Sequence, residues 1–137
     1  MKAEQIMQIQ VIEQEANQFN EQLQIFDQNI SEMQELNKSL DEIENSENNE
    51  ILANLGKKIY LPAEIKKNQK LMVEVGNKNY VKKSISETKE IVDDQLKKLI
   101  IAKQEIMDNL ETLQNQMLKL IEEIEKEQEK EEKGKKD

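Results

Sequence analysis

Two stretches of this sequence place apolar residues at spacings used by packed pairs of helices. In the first, Ile9, Ile12, Ala16, Phe19, Leu23, Phe26, Ile30 and Met33 alternate steps of three and four without a miss. That is a heptad seam. In the second, the seam reads Ile85, Val92, Leu96, Leu99, Ala102, Ile106, Leu110, Leu113, Met117, Leu120 and Ile124. If the chain folds back on itself, paired seam residues must have numbers that add to a constant. Phe19 with Leu110, Ala16 with Leu113, Ile12 with Met117 and Ile9 with Leu120 all give about 129. Two helices in unrelated bundles would owe each other no such match. The expectation is an antiparallel coiled-coil hairpin with arms of about 42 residues, roughly 60 to 65 Å each. After Met33 the apolar spacing slips to Leu36, Leu40 and Ile43, which reads as a stammer. Asn37 stands where the undisturbed seam would continue, and a polar residue there can fix register.

Between the arms lies a block of different character, residues 51–83. It holds Pro62, the only proline, and Gly56 and Gly76, two of the three glycines. It reads as four short strands, 51–55, 58–65, 70–75 and 80–83, forming two consecutive hairpins. Gly56 supplies the first turn, and Gly76-Asn77-Lys78-Asn79 is a hairpin turn. Asn45–Glu50 reads as a loop before the first strand. Ser84 and Glu87 form a capping box that starts the second helix near Ile85. The expected organisation is a single domain: an N-terminal helix over 3–45, hairpins over 51–83, a C-terminal helix over 85–128, and a charged, frayed tail over 129–137. The fold class is mainly α with a small β insertion at the bend.

Two short hairpins do not make a stable sheet in water. The rows Ile59, Leu61, Ala63, Ile65 and Leu71, Val73, Val75 need covering, and the outer strands would leave unpaired backbone groups. The block is therefore expected to pair with strands of other chains; the alternative is a small monomeric cap. Pro62 cannot donate to a ladder, so strand two should have an edge, bulge or break there. At the free ends of the helices the apolar stripe widens, with Ile6, Met7 and Val11 beside Ile9, and Leu118 and Ile121 beside Met117. Exposed apolar surface containing Met suits adaptable binding of apolar partners, although the same residues could pack on a neighbouring arm.

Composition narrows the chemistry. Net charge is −9, and all 20 basic residues are lysines. No basic face could neutralise a nucleic-acid backbone, and guanidinium recognition is absent. With no Cys and no His there is no thiolate, no disulfide and no usual general base, and the commonest metal ligand is missing. The glycines stand too far apart for a phosphate loop. Carboxylate pairs such as Asp93-Asp94 and Glu122-Glu123 read as solvated helix faces. No run is apolar enough to span a membrane, and the N-terminus is not a signal peptide. The reading is a soluble, intracellular binding protein, not an enzyme, without cofactor or metal, acting on neither nucleic acid nor membrane.

A coiled coil interrupted by two β-hairpins resembles the α-type subunit of prefoldin in its archaeal form; the β-type subunit has one hairpin. The likeness centres on ILANLGKKIYLPAEI and KLMVEVGNKNYVKKS. The resemblance implies a heterohexamer of two α-type and four β-type subunits. Its hairpins would build a β-barrel platform, and its coiled-coil tips would hold non-native client proteins and deliver them to a group II chaperonin, without ATP, in the cytoplasm. Leu52, Ile59, Leu61, Leu71, Val73 and Val81 would then belong to the oligomer interface. Ile6, Met7, Ile9, Val11, Met117, Leu118 and Ile121 would belong to the client-binding tips. The second reading is a filament-forming or scaffold protein that polymerises through its hairpins, and a third is a coiled-coil tether without chaperone action.

Overall fold

The computed structural model describes residues 2–46 and 50–135. Helix α1 spans Ala3–Asn45, followed by strands β1 (Glu50–Gly56), β2 (Ile59–Glu64), β3 (Leu71–Gly76) and β4 (Asn79–Lys83), and helix α2 spans Ile85–Lys135. Of the loop expected before β1, residues 47–49 lie outside the described residues. The chain divides into two units: Met1–Asn29 with Leu99–Asp137, and Ile30–Lys98.

In the first unit the opening part of α1 and the closing part of α2 are paired antiparallel. Ile106, Leu113, Leu120 and Ile124 are buried, and Ile9, Ile12, Ala16, Phe19, Leu23 and Phe26 are half-buried opposite them. Each helix thus buries a stripe and leaves its other faces wet. Lys103 Nζ lies 2.6 Å from Asp27 across the pair. The seam begins earlier than apolar residues alone indicate. Gln5, one step of four before Ile9, is buried. Its Nε2 donates to Glu127 Oε2 at 2.9 Å, and its Oε1 accepts from the Lys2 amide at 3.0 Å. A polar side chain stays in the seam because both ends of its amide are satisfied.

In the second unit Leu40, Val92 and Thr88 are buried between the two helical segments. The stammer is not at Leu36; two successive steps of three fall later, from Asn37 through Leu40 to half-buried Ile43. Leu36 is exposed, while Asn37 is half-buried in the seam between Met33 and Leu40. Asn37 Nδ2 donates to Asp93 Oδ1 at 3.0 Å, which lets the three-four rhythm run through a polar residue as far as Leu40. Asp93 is therefore half-buried and bonded, not a purely solvated carboxylate. Beside it Lys89 is bound by Asp41 and lies 3.4 Å from Glu44. Its pKa sits above the ordinary lysine value, first because of the hydrogen bond to Asp41, with both carboxylate charges adding and partial burial opposing. The pairs Asn37 with Asp93, Asp41 with Lys89 and, in the first unit, Asp27 with Lys103 all have numbers adding to 130, the constant that antiparallel register requires.

Helix α2 opens as expected. The Glu87 amide donates to Ser84 Oγ at 3.1 Å, and Ser84 Oγ donates to Glu87 Oε1 at 3.1 Å. It closes later than expected: the helix continues to Lys135, so 129–135 is helical and not a frayed tail. The run of Glu and Lys is a good helix former, and no proline stops it.

The four strands form two separate two-stranded antiparallel sheets, β1 with β2 and β3 with β4. Every strand is an edge, which is how Pro62 is accommodated within β2, opposite Leu52. The second turn falls where expected, at Gly76-Asn77-Lys78-Asn79, while the first is centred one to two residues past Gly56. Lys57-Lys58 and Asn77-Lys78 are the two-residue loops, with φ of 51° and 67°, and 48° and 60°. Both residues of each loop are left-handed, the backbone that matches strand twist. Gly56 and Gly76, at φ of 105° and 123°, instead close the strands ahead of the loops, where the register slips by one residue. The two hairpins repeat at an offset of 20 residues: Asn54-Leu55-Gly56-Lys57-Lys58-Ile59-Tyr60 against Glu74-Val75-Gly76-Asn77-Lys78-Asn79-Tyr80. Asn54 Oδ1 accepts from the Gly56 amide at 2.8 Å, and Glu74 Oε1 accepts from the Lys78 amide at 3.2 Å.

Candidate functional site

Two surfaces stand out, one in each unit, and both are apolar. In the first unit, five of the seven tip residues are exposed: Ile6, Met7, Val11, Leu118 and Ile121. Met7 is 64% exposed. The other two, Ile9 and Met117, are half-buried seam residues. Met7, Val11, Ile12 and Leu120 form the apolar part of a groove of about 480 Å³, completed by Gln8, Gln116, Lys119 and Glu123. The groove exists because Met7 and Val11, one helical turn apart, stand outside the seam and carry apolar surface up from it. Lys2 and Gln5 tie the start of α1 to Glu127, with Lys2 Nζ 4.0 Å from the carboxylate. That cluster holds Ile6 and Met7 on an ordered turn. Apolar pattern alone gave no reason to look for it; the signal was Gln5 at seam spacing.

In the second unit the hairpins leave apolar side chains in water. Register assigns them to faces. Ala53 opposite Leu61 and Ile51 opposite Ala63 share one face of the first hairpin, with Ile59 in the same alternation. Val73 opposite Val81, with Leu71, shares one face of the second. Five of the six expected interface residues therefore occupy like faces of their hairpins. Leu52 does not: it pairs with Pro62 on the opposite face. Leu71 and Val73 are half-buried, whereas Leu52, Ile59, Leu61 and Val81 are exposed. Tyr60 and Tyr80, at equivalent places in the repeat, are also exposed, as are Leu55, Val75 and Met72. Of these, Val75 belongs to the rows expected to need covering; Tyr60, Tyr80, Leu55 and Met72 were not singled out for it, although the repeated tyrosine was a usable signal. Apolar surface on this scale, attached to unpaired strand edges, marks a site for other polypeptides.

Among the described residues no cluster of His, Cys, Asp or Glu could hold a metal ion, and no helix is long and apolar enough to cross a membrane.

Comparison with known proteins gives two findings and one blank. The family model described as "Prefoldin subunit" matches residues 12–130. The fold is similar to that of filamentous PFD from Methanocaldococcus jannaschii, determined by cryo-EM, with a TM-score of 0.72 and 16% sequence identity, over 85% of this chain and 98% of that one. No curated protein matches the chain.

Proposed function

The chain belongs to the prefoldin family, and from that premise we propose that it is the α-type subunit of a chaperone that holds non-native proteins. The observation that carries the α-type reading is the presence of two hairpins, each a complete two-stranded sheet with an open apolar face. An isolated hairpin gains little stability from itself. Two such modules on one chain support assembly with one-hairpin partners into a shared β platform, two of this chain with four of the partner. Leu71, Val73, Ile59, Leu61 and Val81 bury their common faces there, with Leu52 meeting a neighbour from the other side.

The tips then supply the work. Ile6, Met7, Val11, Leu118 and Ile121, with Ile9 and Met117 beneath them, take up apolar segments of unfolded clients and pass them to a group II chaperonin in the cytoplasm. No nucleotide is consumed, since nothing in the chain is suited to bind or hydrolyse one. A second reading draws on the filamentous state named for the fold-matched protein: this chain polymerises through its hairpins into a filament.

Co-expression with a one-hairpin partner, followed by native mass determination, tests the assembly. Two copies of this chain with four of the partner support the first reading; open-ended growth of this chain alone supports the second. Holding is tested by the delay in aggregation of a chemically unfolded protein. Removing residues 1–8 and 118–137 should leave the assembly mass reduced only by the deleted residues and weaken the delay. Unchanged holding would sink the tip assignment.

A further inference from the structure

Beside the seam, each helix of the first unit has two flanks. With Ile9 at heptad position a, α1 places Ile6, Glu13, Asn20 and Asp27 at e. With Leu110 at a, α2 places Ile100, Met107, Gln114 and Ile121 at e. Antiparallel pairing brings the two e rows onto one flank, and the contact of Asp27 with Lys103, an a residue, confirms the side. The groove described above belongs to the other flank, because its residues Ile12 and Leu120 are d and Gln8, Gln116 and Glu123 are g.

The e flank is unlike an ordinary coiled-coil exterior. Ile100, Met107 and Ile121 recur at heptad multiples, with Ile6 across from Ile121, and all four are 41 to 49% exposed. A third apolar position beside a and d is the pattern of a helix in a bundle, not of a two-helix seam. From Ile100 to Ile121 the row is about 30 Å long. Its charged border is mainly acidic, with one exposed cation, Lys97, at b one turn before Ile100. Glu13, Glu111 and Glu125 are exposed along it. Of the other lysines on the same side, Lys2 and Lys103 are each held by a carboxylate, Glu127 and Asp27. Lys119 and Lys126 fall at c, toward the groove flank.

We propose that this flank docks a basic amphipathic helix. Apolar side chains at heptad spacing lie over Ile100, Met107 and Ile121, and cationic side chains meet Glu13, Glu111 and Glu125. A cationic occupant fits this mainly acidic border better than a second copy of this chain, whose net charge is −9. The inference rests on the chaperone reading and narrows it: among unfolded clients, segments that form cationic helices are preferred, at a surface reaching beyond the tip groove.

The test uses the full chain in the assembly it forms and a fluorescein-labelled peptide of about 24 residues, enough to cover the row. The peptide carries Leu at a and d and Lys elsewhere. Fluorescence anisotropy should show binding that weakens with salt, and weakens about tenfold in the double variant I100Q/M107Q. A peptide with Glu in place of Lys, and a shuffled Lys peptide without heptad spacing, should each bind about tenfold less tightly or worse. The triple variant E13Q/E111Q/E125Q should lose the preference for Lys over Glu. Equal binding of the Lys and Glu peptides, or of the ordered and shuffled ones, overturns the proposal. So does unchanged binding in I100Q/M107Q, or a concentration-dependent doubling of mass that the same variant abolishes, which would assign the flank to self-association. An assembly that delays aggregation yet ignores the Lys peptide defeats this inference alone; one that binds the peptide and fails to delay aggregation defeats the chaperone reading alone.

Discussion

The hairpins can be tested through a single methyl group. Gly76 holds φ at 123°, a backbone that L side chains rarely adopt, and a Cβ added there meets nothing within 4 Å. The cost of Gly76→Ala is thus purely conformational, since no neighbour has to move. Holding a non-glycine residue in such a region costs on the order of 1 to 3 kcal/mol. Taking about 2 kcal/mol, the opening equilibrium of β3 with β4 rises about thirtyfold. A two-stranded sheet has no further strands to absorb that loss. Hydrogen exchange of the β3 and β4 amides in the assembled protein should accelerate by that factor, and native mass at low concentration should show released subunits. Gly56→Ala, at φ of 105° with equally open space, should do the same to β1 and β2. Gly134 is the internal control. It lies in α2, also with nothing within 4 Å of an added Cβ and without a left-handed φ. There, one residue from the helix end, alanine should stabilise the helix by no more than a few tenths of the roughly 1 kcal/mol that separates the two residues in a helix interior. If Gly76→Ala and Gly134→Ala leave strand exchange and assembly mass equally untouched, the reasoning about these hairpins is wrong.

Three further outcomes are expected. Val73→Asp places a carboxylate on the shared apolar face of the second hairpin, where burial in an assembly would cost several kcal/mol; native mass should show dissociation, and an intact complex would contradict the face assignment. Asn37→Leu removes a hydrogen bond worth about 1.5 to 3 kcal/mol, but also removes a buried Oδ1 that has no partner and adds apolar contact, while Asp93 is open enough to be hydrated. The net should be a gain of about 1 kcal/mol and a Tm higher by about 3 °C, with a lower Tm counting against an intact seam at that point. Lys89 has its pKa raised above 10.5 in the folded state, so its contribution is whole below pH 10.5 and fades as pH rises through the folded value. Thermal melts from pH 7 to 11.5 should therefore converge for wild type and Lys89→Gln above that point, and a constant gap across the range would refute the linkage.

Both seams were legible because burial on a helix repeats every three or four residues and leaves little choice of face. Ser84 with Glu87 marked the start of α2 for a similarly local reason. Leu36 misled because it is apolar yet exposed, while Asn37, polar, occupies the seam; hydropathy cannot see a partner such as Asp93, which is 56 residues away. Gln5 escaped notice for the same reason, its partner Glu127 being 122 residues distant. The hairpins were visible as alternation and the Gly76–Asn79 turn by its residues, but the first turn was placed on Gly56. Lysine is an unusual choice for left-handed backbone, so Lys57-Lys58 gave no warning. The sequence marked which tip residues are apolar; that Ile9 and Met117 sink while Met7 and Leu118 stand out follows only from heptad position.

In the assembly proposed above, the duplicated hairpin would make each polypeptide a link with two like couplings in place of one. Disabling a single coupling, by Gly56→Ala or by Gly76→Ala, turns a link into a terminus, and a small fraction of such termini mixed into normal chains would shorten anything that grows by linking while leaving closed rings of fixed size to exclude them. Dose-dependent shortening on one hand and unaltered particle size on the other is the mechanical signature by which the two kinds of architecture can be told apart.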